Sequence, residues 1–323
     1  MTPVEPEAFG RPLSPPVVAG RPLRQVVADY VQISKPRILL LLLVVAWAAM
    51  FVAASGWPAW PPFLAVTAAG TFSVAASGAL NNVLERRRDR QMDRTAHRAV
   101  AAGRIPVSAA VVYASIMAVL SYASLALLGL WWAAALTLGA IAYYVVVYTV
   151  VLKPSTPQNI VVGGLAGSFP ALIGWAAATG GLSMPAAAPA VALAALVFLW
   201  TPPHFWSLAL LYKDQYEAAG FPMMPSVRGE ASTRRQVLAY SVLTVAASLA
   251  IAWPAAHAAG WLYVAAAAIL GAELLRRAIG LLRSPAAPRY RSFFLFTIQY
   301  LGFLLLALMA DRALISAVPG LAT

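Results

Sequence analysis

Cysteine is absent from this 323-residue chain. That excludes disulfides, thiolate metal sites, cysteine nucleophiles and covalent haem attachment through a C-x-x-C-H motif. Charge is scarce too, at 11% of residues against 61% hydrophobic, with a mean hydropathy of +0.76. A water-soluble fold is therefore excluded, because the apolar runs reach the length of about 20 residues that crosses a hydrocarbon core of roughly 30 Å. The first 30 residues lack an apolar core and carry Glu5, Glu7 and Asp29. They match neither a secretory signal nor an acid-poor transit peptide.

What is present reads as an all-α polytopic transmembrane bundle of about nine helices. The expected spans are roughly 38–57, 62–84, 106–129, 131–151, 159–179, 187–211, 236–256, 259–281 and 293–315. Residues 1–34 are expected to be a mobile cytoplasmic tail and 35–323 the membrane domain, with no separate soluble domain.

The basic excess, 23 Lys and Arg against 11 Asp and Glu, points to the lipid bilayer as partner and not to nucleic acid, because of how it is distributed. Arg37, the Arg86–Arg104 cluster, Lys153, Lys213 with Arg228, Arg234 and Arg235, and Arg276 to Arg291 all fall on alternate loops. The opposite loops carry no Lys or Arg, and Arg312 alone breaks the pattern. By the positive-inside rule the loops 85–105 and 213–235 both face the cytoplasm.

Within NNVLERRRDRQMDRTAHR, positions Asn81, Glu85, Asp89 and Asp93 recur every four residues. Steps of four advance about 40° around a helix, so Asn81, Glu85 and Asp89 make one slowly turning stripe, with Asp93 further round or past the helix end. Carboxylates in a lipid-soluble chain are costly and point to a bound metal or polyanion. Two carboxylates and an amide with no His or Cys nearby form the hard-oxygen set suited to Mg²⁺ shared with substrate phosphates. Arg94 and Arg98, among the interleaved arginines, can meet phosphate oxygens as bidentate donors. A solvated interfacial helix laced with Glu–Arg pairs gives the same spacing.

A second polar segment, KDQYEAAGFPMMP, places Asp214 and Glu217 one turn apart. These could hold a second ion or serve only as a helix-end feature. Before it, WTPPHFW sets Pro202 and Pro203 beside His204, where a kinked helix is expected. His204 is an iron ligand, a proton acceptor or a packed residue, and the residues leave all three open. Lys153 is a phosphate clamp or an ordinary positive-inside lysine, and the G-x-x-x-G of Gly163 and Gly167 indicates close helix packing.

Taken in order, N-x-x-x-E-x-x-x-D, DRTAHR, Tyr148 with KPSTPQN, WTPPHFW and KDQYEAAGFPMMP resemble the intramembrane aromatic prenyltransferase superfamily. Within it they resemble the branch that farnesylates protohaem IX, and WTPPHFW with AGFPMMP is the specific part. The resemblance runs from about Lys35 to the last span. It implies Mg²⁺-assisted ionisation of farnesyl diphosphate, addition of the farnesyl carbocation to a vinyl group of haem B, and completion by water to haem O. It implies catalytic roles for Asn81, Glu85, Asp89, Asp214 and Lys153, with Glu85, Asp89 and Asp214 as metal ligands. Substrate binding then falls to Arg94, Arg98, Tyr148, Asn159, His204 and Tyr216. It further implies an inner-membrane location with the site on the cytoplasmic side, and a haem A synthase as a downstream partner.

Five positions depart from the family pattern. Glu85 stands where Asp is usual, Arg87 and Arg88 interrupt the acids, Pro154 follows Lys153 where Arg is usual, and Gln215 follows Asp214 where a second acid is common. A sister enzyme acting on a hydroxybenzoate, naphthoate or chlorin would share the metal motif without WTPPHFW and AGFPMMP. An anion or lipid transporter would instead carry charges deep within several spans.

Overall fold

The structure is a computed structural model that describes residues 20–252 and 259–317. Ten long helices carry it: α1 (Leu23–Ile33), α2 (Pro36–Ala53), α3 (Trp60–Asp89), α4 (Val107–Ala126), α5 (Trp131–Ser155), α6 (Asn159–Thr179), α7 (Ala188–Leu211), α8 (Glu230–Ala250), α9 (Trp261–Arg283) and α10 (Ala287–Ala317). No strand occurs among the described residues. Among the described residues seven helices, α2 to α7 and α10, are long and apolar enough to cross a membrane. The other two expected spans, 236–256 and 259–281, overlap α8 and α9, with residues 253–256 outside the described residues. At 21 and 23 residues these match the bilayer in length, but polar side chains dilute their hydropathy. Nine is therefore an approximate count, with seven spans clear by composition.

Each helix packs on the next, giving one run of α3, α4, α5 and α6 and a second of α7, α8, α9 and α10. Helix α2 lies between the runs and touches α3, α6, α7 and α10. Helices α2 and α6 approach closely at Gly174 of α6, where a Cβ would sit 2.1 Å from the carbonyl oxygen of Ala46. With backbone as the obstacle, a side chain can enter only by separating α2 from α6. Gly174→Ala is expected to cost about 1–3 kcal/mol and to lower the thermal midpoint in detergent. An unchanged midpoint would contradict this packing.

Membrane orientation is written on the surface. Leu40, Leu64, Val119, Ile269 and Phe303 are exposed although large and apolar, as lipid-facing side chains must be. Trp57, Trp60, Trp131, Trp132 and Trp261 are exposed at the turns leading into α3, α5 and α9, which forms an aromatic girdle at one end. The opposite end holds the N-terminus of α2 and the C-termini of α3, α5, α7 and α9. That end carries the basic loops.

Of the tail expected over 1–34, residues 20–34 are described. Helix α1 occupies 23–33, and its Asp29 pairs with Arg21 and with Arg104 at 3.0 Å. Gln32 Oε1 accepts the Ala99 amide at 2.8 Å. This part of the stretch is attached to the loop after α3, and residues 1–19 lie outside the described residues.

Candidate active site

The stripe predicted from four-residue spacing exists on the last turns of α3. Asn81, Glu85 and Asp89 are buried together with Asn82, and α3 ends at Asp89. Asp93 begins a separate short helix, Asp93–Ala96, and is exposed. Buried carboxylates require partners, and cations from other elements provide them. Lys153 Nζ lies 2.5 Å from Glu85 Oε1. Arg98 Nη1 reaches both Asp89 oxygens, at 3.0 and 2.9 Å, and stands 4.0 Å from Glu85.

Asn81 is held from two sides. Its Oδ1 accepts Lys35 Nζ at 2.7 Å, and its Nδ2 donates to Thr149 Oγ1 at 3.3 Å. Lys35 also donates to Tyr144 Oη at 3.1 Å. It adopts a left-handed backbone at φ 52° as the residue before α2. A non-glycine residue kept there against its preference is a common mark of a functional position. Burial, together with the nearby Arg98 guanidinium, pushes the Lys35 ammonium down to about 7. Sequence reasoning missed Lys35, because a lysine before a proline at the start of a span reads as positive-inside charge.

The middle of α5 is a π-helix over Tyr143–Leu152, a wide-turned form frequent at functional sites. Thr149 Oγ1 accordingly bonds the Tyr144 carbonyl five residues back, at 2.9 Å. This segment turns Tyr144, Tyr148 and Thr149 toward α3 and α6. Tyr148 is buried against Gly163, where a Cβ would lie 2.3 Å from its ring. The first glycine of G-x-x-x-G therefore makes room for an aromatic ring. Gly167 faces Val197 of α7 at ordinary contact distance, as helix packing requires.

The two basic loops meet, as the shared face requires. The Arg94 amide donates to Gln215 Oε1 at 3.3 Å, and Arg94 Nη2 to Tyr216 Oη at 3.2 Å. Its guanidinium lies over the Tyr212 and Tyr216 rings. Phe221 faces both Arg88 and Lys153, with the charges 4.8 and 4.7 Å from its ring centre. Asn159 is fully buried, with Nδ2 bonded to the Thr156 carbonyl and Oδ1 without a partner among the described residues.

Two predicted residues make no hydrogen bond or ion pair with this centre among the described residues. Asp214 is exposed on the short helix Lys213–Ala218, with no ion pair or hydrogen bond among the described residues. His204 packs between α7 and α10 through Thr297 and Phe294. Among the described residues no three His, Cys, Asp or Glu side chains converge as a metal cage. The donor set at the centre is two carboxylates and an amide, ringed by Lys35, Lys153 and Arg98.

A buried acidic stripe ringed by cations at one end of an apolar bundle brings hard-oxygen donors and phosphate-binding cations together. The profile of the UbiA prenyltransferase family matches residues 41–301. The chain belongs to this family. Among its UbiA relatives, the protoheme IX farnesyltransferase of Nostoc sp. is 43% identical over 289 residues, covering 89% of each chain. The fold is that of solved UbiA structures. The apo UbiA homolog of Aeropyrum pernix K1 aligns with a TM-score of 0.71 at 18% identity, over 88% of this chain and 99% of that one. A UbiA homolog of Archaeoglobus fulgidus bound to GPP and Mg²⁺ aligns with a TM-score of 0.56 at 16% identity, over 87% and 99%.

Proposed function

We propose that this chain transfers a farnesyl group from farnesyl diphosphate to a vinyl group of haem B, giving haem O and diphosphate. The observation that carries this reading is the 43% identity to a protoheme IX farnesyltransferase along 89% of both chains. The centre supplies chemistry suited to it. Breaking the carbon–oxygen bond leaves negative charge on diphosphate, and preorganised cations are what stabilise such charge.

Glu85, Asp89 and Asn81 fit Mg²⁺ by their hard-oxygen chemistry, with substrate phosphates completing the coordination. Mg²⁺ bound there supplies Lewis-acid stabilisation of the leaving group. Lys153 and Arg98 pair with the two carboxylates and orient them before substrate arrives. Arg98 offers a planar fork to phosphate oxygens, and Lys153 and Lys35 offer compact charges. Asp214 is the proposed second metal ligand, carried on the helix whose Tyr216 is tied to Arg94. Tyr148 and Asn159 are proposed to line the substrate path between α5 and α6.

The bond balance is simple. The carbon–oxygen electron pair leaves with diphosphate, the farnesyl carbon bonds to the outer vinyl carbon, and water adds hydroxyl to the inner one with loss of a proton. The apolar helices around the site exclude water until that last step. We place the site on the cytoplasmic face of the inner membrane, since the basic loops gather at that end. A haem A synthase would consume the product.

Purified protein in detergent with Mg²⁺ and farnesyl diphosphate is expected to release pyrophosphate only when haem B is added. Release driven by 4-hydroxybenzoate and not by haem would move the chain to a sister activity.

A further inference from the structure

His204 is held in one plane, one rotation and one tautomer. Its ring stacks on Trp200 at 4.4 Å and 15°, and on Phe294 of α10 at 4.7 Å and 21°. Two nearly parallel rings so close must occupy opposite faces, which fixes the imidazole plane. Rotation within that plane is fixed by Nδ1, which lies 2.7 Å from Thr297 Oγ1. Thr297 is fully buried and fixed in turn. Its hydroxyl donates to the Phe294 carbonyl at 2.6 Å, and its own carbonyl accepts Trp200 Nε1 at 2.8 Å.

A hydroxyl has one proton. With that proton on the Phe294 carbonyl, Thr297 Oγ1 meets His204 with a lone pair, so Nδ1 carries the imidazole proton and Nε2 the free lone pair. Nε2 has no hydrogen bond among the described residues, and the ring is only partly buried. A histidine that merely fills space does not need two aromatic faces and a buried hydroxyl to aim one lone pair.

We propose that His204 Nε2 is an axial ligand to the iron of the acceptor haem, and that Thr297 is its positioning residue. The inference rests on haem as acceptor. Metal-binding histidines donate the other ring N–H to an oxygen that fixes tautomer and orientation, which is the service Thr297 performs. Depth agrees with the role. His204 precedes the end of α7 at Leu211 by seven residues, and Asn81 precedes the end of α3 at Asp89 by eight. Both helices end on the charged side, so at about 1.5 Å per residue the two lie at similar depth. A macrocycle held through its iron there keeps its edge level with the diphosphate centre.

The test is ligation, read without turnover. Ferric haem B is titrated into the purified protein in detergent without farnesyl diphosphate, and axial ligation is followed in the Soret band and by electron paramagnetic resonance. Wild type is expected to give a histidine-ligated spectrum. His204→Ala loses it, and added imidazole restores it. Thr297→Val weakens haem binding about 10-fold or more, and Thr297→Ser keeps the wild-type value. If His204→Ala does not fold, judged by its melting transition, His204→Asn with the Thr297 pair gives the same reading.

An unchanged spectrum in the folded histidine variant overturns the proposal, as does Thr297→Val binding haem like wild type. These results are distinct from failure of the underlying function. Wild-type protein that binds no haem and makes no haem O removes the acceptor itself. Haem O formation with unaltered ligation in His204→Ala removes only the role of His204.

Discussion

Asp89→Asn and Glu85→Gln each lower turnover by roughly 100-fold or more, while inserted protein and helical content stay at wild-type levels. The magnitude follows from loss of leaving-group stabilisation worth several kcal/mol when a charged metal ligand becomes a neutral isostere. Neither change alters volume, so α3 keeps its packing, although each leaves a cation, Arg98 or Lys153, without its charged partner and lowers the thermal midpoint. Asp89 is the cleaner probe, because its two oxygens meet one guanidinium, Arg98. The measurement is pyrophosphate release at saturating Mg²⁺ with both substrates present. Wild-type rates in these two variants would mean that the stripe is only a paired structural feature of the helix end.

Lys153→Met is expected to be the most destabilising single change at the site as well as an inactivating one. It leaves Glu85, 5% exposed, with a buried charge whose nearest remaining cation is Arg98 at 4.0 Å. Stranding one member of a buried ion pair costs about 3–5 kcal/mol, and the partial help of Arg98 places the loss toward the lower figure. The double variant Lys153→Met with Glu85→Gln removes both charges together. It is expected to recover most of the thermal midpoint while remaining inactive, because the diphosphate contact and the metal ligand are both gone. Recovery of activity along with stability would contradict a role for Lys153 in catalysis. A midpoint unchanged in the single variant would contradict the ion pair.

Those two residues illustrate what can be read along a chain and what cannot. The acids of α3 declare themselves because helical spacing is local, and a four-residue step puts Asn81, Glu85 and Asp89 on one face in any helix. The pairing of Glu85 with Lys153 is 68 residues long and has no local signature. The lysine reads equally well as a clamp or as topology charge. Lys35 is hidden for the same reason, and its left-handed backbone at φ 52° lies at the junction of α1 with α2.

The π-helical stretch of α5 is likewise invisible, since an apolar run such as YYVVVYTVVL carries no periodicity to distinguish one turn width from another. Thr297 lies unmarked inside the longest apolar helix, although it fixes the ring of a histidine 93 residues away. In the fold, the spans with few polar residues were legible throughout. The weaker ones, α8 and α9, carry buried Ser241, Thr244 and Ser248 and the exposed-face group Glu273, Arg276 and Arg277. Polar side chains that are satisfied inside a bundle lower hydropathy without preventing a helix. Asp214 runs the other way, since its motif was legible but its side chain stands exposed on its short helix.

The central claim is the reaction, and mass spectrometry of the porphyrin tests it most directly. Purified protein supplied with Mg²⁺, farnesyl diphosphate and haem B should yield haem heavier by one farnesyl group and one hydroxyl, with one pyrophosphate released per product. Product is expected to vanish without the metal or the isoprenoid and to fall at least in proportion to turnover in Asp89→Asn. Unmodified haem recovered from a preparation that prenylates 4-hydroxybenzoate under the same conditions would contradict the account.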